Sequence, residues 1–250
     1  MKLPLHNKTV LVTAGARRVG AAISRRLHAA GARVMVNYRR SGAEARALIA
    51  ALNAQRADSA AMVKADLLQP DAPALLVNTT LRAFGRLDAL VNNASSFYAT
   101  PVGTMNERAW HDLIGTNLKA PLFLAQAAAG ELKKRRGCIV NIVDIHAEFP
   151  LKDYVIYSIA KGGLAALTRS LARELGPAVR VNGVSPGPIL WPDTDIWKSP
   201  KTRKAIVDRT VLKRVGEPDD IARTVAFLIA GAPYVTGQII AVDGGRSISL

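Results

Sequence analysis

Short apolar runs rich in β-branched residues recur along the chain, each closed by turn-forming residues: TVLVTA from Thr9, RVMVNY from Arg33, AAMVKAD from Ala60, LDALVNNA from Leu87, CIVNIVD from Cys138, VRVNGVSP from Val179 and IIAVDGG from Ile239. Runs of this length and apolarity predict strands buried on both faces. Between them lie Ala-, Leu- and Arg-rich stretches with helical spacing, and one of these, AAISRRLHAAG, ends on Gly31, a glycine placed to cap a helix C-terminus. Alternation of strand and helix implies a parallel sheet covered on both faces. Right-handed crossovers then leave a doubly wound, seven-stranded α/β arrangement of the Rossmann type, with helices on both faces, as the expected topology. No repeat, linker or break in composition divides the sequence, so residues 1–250 are expected to form one domain. The segment 188–210 (PILWPDTDIWKSPKTRKAIVDRT) departs from both periods and is rich in Pro, with Trp191 and Trp197; it is expected to be an irregular flap over a site.

Composition narrows the function classes. At 49% hydrophobic and 21% charged over 250 residues, the chain has the balance of a globular protein with a sizeable core, which excludes collagenous, disordered and disulfide-stapled classes. The single cysteine, Cys138, has no internal partner, and His6, His28, His111 and His146 are scattered without metal-ligand spacing, so no metal site is expected. The N-terminus MKLPLHNKTVLV runs into the first strand without a secretory pattern, and no apolar stretch has membrane-spanning length; a cytoplasmic protein without a membrane partner is the expectation. The net charge of +15, from 34 Lys and Arg against 19 Asp and Glu, raises the question of a polyanionic partner. Because the arginines are spread over predicted helices and form no segregated tail, the charge reads as solvated helix faces, and no nucleic-acid partner is expected.

Candidate chemistry lies at two places. The first strand delivers TAGARRVG, Thr13 to Gly20, into a helix, which is where a doubly wound fold seats a pyrophosphate on a helix N-terminus; Arg17, Arg18 and Val19 are candidate cofactor contacts there. A glycine in such a turn also has a purely steric explanation. The second strand ends in Tyr38, Arg39, Arg40 and Ser41, where an NAD-binding chain normally carries an acidic residue for the ribose hydroxyl. Guanidinium groups suit a phosphate dianion, so NADPH is the expected cofactor, the plainer alternative being a solvated arginine loop. Farther on, Tyr157 and Lys161 stand at i and i+4 on one helix face, a phenol with a cation placed to favour its phenolate. Asp144 closes the run CIVNIVD at the carboxyl end of a strand, where open α/β sheets bind ligands.

Taken together, these segments resemble the short-chain dehydrogenase/reductase family over essentially the full length. The resemblance rests on the glycine-containing turn, Asp66 and Leu67 after the third strand, Asn92, Asn93 and Ala94 after the fourth, Asn117, the Tyr157 to Lys161 pair, Pro186 and Gly187, and VTGQIIAVDGG near the end. The family turn reads TGxxxGxG, whereas Ala14 and Arg18 replace its first two glycines here, and Asp144 stands in place of the family's catalytic serine. Those departures, with NNASSFY from Asn92 to Tyr98 and the YRRS segment, resemble the pteridine reductase branch. The resemblance implies that Tyr38, Arg40 and Ser41 hold the 2′-phosphate, Asp66 and Leu67 the adenine, Asn93 and Ala94 with Pro186 and Gly187 other parts of the cofactor, and Ser95 with Arg18 its phosphates and the pterin edge. Phe97 would stack on the pterin. Asp144, Tyr157, Lys161 and Asn117 would be catalytic, with Tyr157 and Asp144 relaying protons to a ring nitrogen and Lys161 binding the nicotinamide ribose and lowering the Tyr157 pKa. Pro188 and Ile189 occupy positions where the family offers a polar cofactor contact.

The resemblance implies reduction of a pterin or folate, in a homotetramer built through the helices carrying Asn117 and Tyr157 and through the last strand. Two other readings stay open on the sequence: a carbonyl reductase of the same family acting on 3-oxoacyl-carrier-protein substrates, against which Asp144 speaks, and a non-catalytic protein using the basic charge on a polyanion, against which the intact Tyr157 and Lys161 speak.

Overall fold

The computed structural model describes residues 4–191 and 198–249; Trp197, placed in the flap by sequence, lies outside the described residues. Seven strands appear where the apolar runs predict them: β1 (Thr9–Val12), β2 (Arg33–Tyr38), β3 (Ala60–Lys64), β4 (Ala89–Asn92), β5 (Cys138–Ile142), β6 (Arg180–Pro186) and β7 (Ile239–Val242). They form one sheet in the order β3-β2-β1-β4-β5-β6-β7, parallel throughout. The order reverses between β1 and β4, and the crevice at that switch point is where a doubly wound sheet accepts a ligand.

Alternate residues of each strand feed opposite faces. Val10 and Val12 join Val34, Val36, Val91 and Val140 in one apolar cluster, while Leu11 points the other way to Met35, Leu90 and Ile139. The first cluster is covered by α1 (Arg18–Ala29), through Ile23 and Leu27, and by α2 (Gly42–Gln55), through Leu48 and Leu52. The second is covered by α3 (Ala72–Phe84), through Leu76, and by α5 (Ala120–Arg135), through Leu124 and Leu132, with Leu175 of α6 (Val155–Leu175) beside them. Each fully buried Leu of this kind stabilises by about 1.5–3 kcal/mol relative to exposure. Gly31 adopts a φ of +103° just beyond α1, which is the capping role read from sequence.

The short α4 (Glu107–Ile114) runs through a π-helical turn, Gly115–Lys119, into α5, and this wider turn carries Asn117 inward. Helical structure also occurs among the described residues after β6. Residues Pro200–Asp208 form α7, with Pro200 in its first turn and the Ser199 hydroxyl accepting from the Thr202 amide. Then α8 (Pro218–Ala230) packs Ile221, Val225 and Leu228 against the first cluster, its start fixed by a reciprocal capping box between Glu217 and Asp220.

Candidate active site

Because β1, β4, β5 and β6 run parallel, their carboxyl ends meet along one edge, and the predicted site residues cluster there. Asp144 follows β5 and caps a short 3-10 turn, Ile145–Ala147, with Oδ1 accepting from the His146 amide at 2.9 Å. Its other oxygen, Oδ2, accepts from the Tyr157 hydroxyl at 2.6 Å. One turn along α6, Lys161 is 1% exposed and donates from Nζ to the Ile142 carbonyl at 2.9 Å. The helical spacing thus puts the phenol and the ammonium on the same face, as predicted.

The electrostatics correct one expectation. Burial, and then the charge and hydrogen bond of Asp144, push the Tyr157 phenol well above its ordinary range, opposed only by a hydrogen bond from the Ser95 side. Lys161 does not bring it down: its ammonium stands 5.7 Å from the ring centroid, over the ring face. Tyr157 is therefore held as a neutral phenol that donates a proton, not as a phenolate. Lys161 is pushed down to about 8 by burial, against an upward pull from Asp144.

Asn117, fully buried, accepts from the Ser95 hydroxyl at 2.7 Å through Oδ1 and donates from Nδ2 to the carbonyls of Ser96 and Leu113 at 3.0 and 2.9 Å. It fixes the loop that follows β4. Phe97, on that loop, stacks on Tyr154 with centroids 4.6 Å apart and meets the Tyr157 ring edge-on at 4.8 Å. Sequence reasoning does not single out Tyr154, since nothing in the chain order pairs it with a residue so distant.

At the other half of the cleft, the turn after β1 keeps the backbone shape of a glycine turn although Ala14 and Arg18 stand in place of two of its glycines. Ala14 and Arg18 have φ of +47° and +50°, a region costing an L-residue roughly 1–2 kcal/mol. Gly20 remains indispensable, because a Cβ there would lie 2.3 Å from the Ala14 carbonyl oxygen. Two asparagines brace the turn. Asn93 Nδ2 donates to the Thr13 and Ala14 carbonyls at 2.9 and 3.2 Å. Asn37, which sequence reasoning passes over, accepts from the Ala14 amide at 3.2 Å and donates to the Ala65 carbonyl at 3.2 Å. The signal for Asn37 is there to be read, as a lone amide inside the apolar strand RVMVNY.

Whether a dinucleotide fits can be judged from the donors. Helix α1 begins at Arg18 with no side-chain cap and no acidic residue in its first turn, which leaves its N-terminal amides and positive dipole end for a pyrophosphate. Arg39 and Arg40 are exposed beside the end of β2; Arg39 Nη1 lies 3.6 Å from Asp66 Oδ1, and Arg40 forms no ion pair among the described residues. Val19, Tyr38, Ser41, Leu67 and Ala94 are part-buried, and Arg17 pairs with Glu44 at 3.5 Å. Pro186 ends β6, and Gly187 packs so closely on Asp243 that a Cβ would fall 2.6 Å from its Cα. Ile189 is buried in the first cluster, in line with its apolar departure from the family pattern. Arg18 reaches away from the turn, its Nη2 donating to the Leu190 and Trp191 carbonyls at 3.3 and 3.1 Å, while the Arg203 guanidinium stands 5.3 Å from the Trp191 ring. These residues, with amides and guanidinium groups at one end and a phenol and an ammonium at the other, fit a nicotinamide dinucleotide.

A family model described as enoyl-(acyl carrier protein) reductase matches residues 14–247. Pteridine reductase 1 of Leishmania tarentolae is 38% identical over 279 residues, covering 96% of this chain and 96% of that protein. The 3-oxoacyl-acyl-carrier-protein reductase FabG of Staphylococcus aureus is 36% identical over 241 residues, covering 95% of this chain and 97% of that protein. With these matches spanning the sheet and the Tyr157 to Lys161 helix alike, the chain belongs to the short-chain dehydrogenase/reductase family of oxidoreductases.

Proposed function

We propose that this protein is an NADPH-dependent pteridine reductase, adding hydride and a proton across a C=N bond of a dihydropterin or dihydrofolate to give the tetrahydro form. The observation that carries this reading is the Asp144 carboxylate 2.6 Å from the Tyr157 phenol, where the family resemblance expects a hydroxyl. A hydroxyl suits a developing alkoxide, whereas protonating a ring nitrogen calls for a group able to refill the donor. The bound dinucleotide supplies the hydride. Tyr157, held neutral, gives its proton to the ring nitrogen, and Asp144 returns one from solvent along the same hydrogen bond. Lys161 offsets negative charge on the phenol oxygen during transfer and binds the ribose. Phe97, backed by Tyr154, offers a flat apolar face to the pterin, and Arg18 with Ser95 lies at its edge. The whole chain, 1–250, acts as one NADP-binding domain with 188–210 as its substrate flap.

Assembly as a homotetramer is part of this reading. Leu122 and Phe123 of α5 and Ile159 of α6 are 38%, 42% and 50% exposed, and among the described residues β7 leaves one edge of the sheet unpaired. Faces of this kind are commonly covered by a second copy.

The 36% identity to a 3-oxoacyl reductase favours a second reading, carbonyl reduction of an acyl thioester. Following NADPH consumption with a 7,8-dihydropterin and, separately, an acetoacetyl thioester decides between them. Turnover of the dihydropterin alone is expected; turnover of the thioester alone overturns the pterin assignment and leaves the family intact. Replacing Arg39 and Arg40 by Ala should erode the preference for NADP over NAD by about tenfold per lost contact, read from the ratio of kcat/KM for the two cofactors.

A further inference from the structure

Past β7 the chain closes through Asp243, Gly244, Gly245 and Arg246. Because the Gly187 amide donates to the Val242 carbonyl at 3.1 Å, this turn lies at the same sheet edge as Tyr157 and Asp144. The Gly244 carbonyl accepts from the Leu212 amide at 3.0 Å, and a Cβ on Gly244 would meet Thr210 at 2.7 Å, so the turn is seated under the segment that follows α7.

Arg246 is part-buried in that seam. Its Nη1 atom is fully buried without a hydrogen-bond partner, one of two such side-chain atoms among the described residues, the other being the neutral hydroxyl of Thr9. The neighbouring carboxylate is otherwise engaged, with Asp243 Oδ1 accepting from the Gly245 amide at 2.9 Å and Oδ2 from the Ser247 amide at 2.7 Å. A second guanidinium, Arg209 at the C-cap of α7, acts on Arg246 with the same sign of charge. Burial and then Arg209 lower the Arg246 pKa, and the pull of Asp243 does not restore it. A buried cationic donor without an acceptor is unfavourable unless an anion completes it.

We propose that Arg246 and Arg209 form an anion-binding site at the base of the 188–210 flap, taking a single carboxylate or phosphate group. Two sources offer that chemistry: free inorganic phosphate, or the carboxylate tail of a dihydrofolate held in the cleft. The second source rests on the pterin reading; the first does not.

The test has two arms, run on the full chain saturated with NADP so that the cofactor's own phosphate contacts are filled. Thermal denaturation is followed against inorganic phosphate at matched ionic strength in chloride, for wild type, Arg246→Gln and Arg209→Gln. KM is compared for dihydrofolate and for a dihydropterin lacking an acidic tail. A free-anion site predicts that phosphate raises the wild-type Tm and that each variant weakens phosphate binding by about tenfold or more, with KM unchanged. A tail site predicts a rise of about tenfold in the dihydrofolate KM of each variant, with the tail-free dihydropterin unaffected. Unchanged phosphate response and unchanged KM in Arg209→Gln, an exposed position that leaves folding intact, overturn the proposal. Absence of turnover with either pterin sinks the pterin reading, and the phosphate arm alone then decides the site.

Discussion

The two edges of the sheet treat buried charge in opposite ways. At the amino edge Asp88 is 6% exposed, and its oxygens are matched by Arg86 Nε and Nη2 at 2.7 Å each, by the Thr9 amide at 2.9 Å and by Lys8 at 3.3 Å. Burial drives the Asp88 carboxyl up, but the Arg86 and Thr9 hydrogen bonds and the nearby cations together outweigh it, and the group stays below its usual range. At the carboxyl edge Lys161 is more deeply buried, forms no ion pair among the described residues, and is left with a carbonyl. One edge pairs its charge and gains stability. The other holds a cation and a phenol in states that ordinary packing would not choose, which is what the proposed proton transfer calls for.

The contrast is tested most severely at the phenol. Tyr157→Phe keeps the ring that packs on Phe97 and removes the proton, so kcat should fall by about a thousandfold while NADPH affinity, read by fluorescence titration, stays near wild type. A variant that still turns over would show that Tyr157 is core, not chemistry.

Lys161→Met comes next. A lysine that titrates at about 8 when folded and about 10.4 when unfolded is penalised at neutral pH, so the variant should gain stability, less what the stranded Ile142 carbonyl costs, as it loses activity. The sign can be read from pH as well. Between about pH 8 and 10 the unfolded chain binds the extra proton, so wild-type stability against urea should rise with pH through that window, and the rise should be absent in the variant.

The amino edge should answer the other way. Asp88→Asn leaves Arg86 and Lys8 without their carboxylate and should cost about 2 kcal/mol, with kcat unchanged. Because the folded carboxyl sits below its unfolded value, its contribution is present above about pH 4 and is lost as the pH falls further, so the wild type and the variant should converge in acid.

How much of this is legible in the chain follows from the range of each interaction. Strand runs, their parallel order and the i, i+4 placement of Tyr157 and Lys161 are local or periodic features, and they are where the sequence places them. Asp144 beside Tyr157 needs only the strand end and thirteen residues of chain. The bracing of the turn by Asn37, the stacking of Tyr154 on Phe97 and the pairing of Lys8 with Asp88 join residues far apart in the chain, and no period announces them. The direction of the Tyr157 shift escapes sequence reasoning for a related reason: counting residues puts a cation nearby, but only the fold shows it over the ring face while a carboxylate meets the oxygen. The helix Pro200–Asp208 is obscured by the surrounding Pro and Trp residues, although Ser199 followed by Pro200 is a helix start in its own right.

The smallest effect concerns the strained turn. Ala14 is exposed, so its methyl contributes little packing, and its positive φ is a conformation glycine adopts freely. Ala14→Gly should relieve roughly 1–2 kcal/mol of strain and lose part of it to the greater freedom of glycine in the unfolded chain, for a net gain of about 0.5 kcal/mol by denaturant titration. Arg18→Gly relieves the same kind of strain but removes the guanidinium that holds the Leu190 and Trp191 carbonyls. If both variants are stabilised and only the second loses activity, the strain at position 18 persists for the sake of its side chain, and the carboxyl edge gives up stability for function there as it does at Lys161.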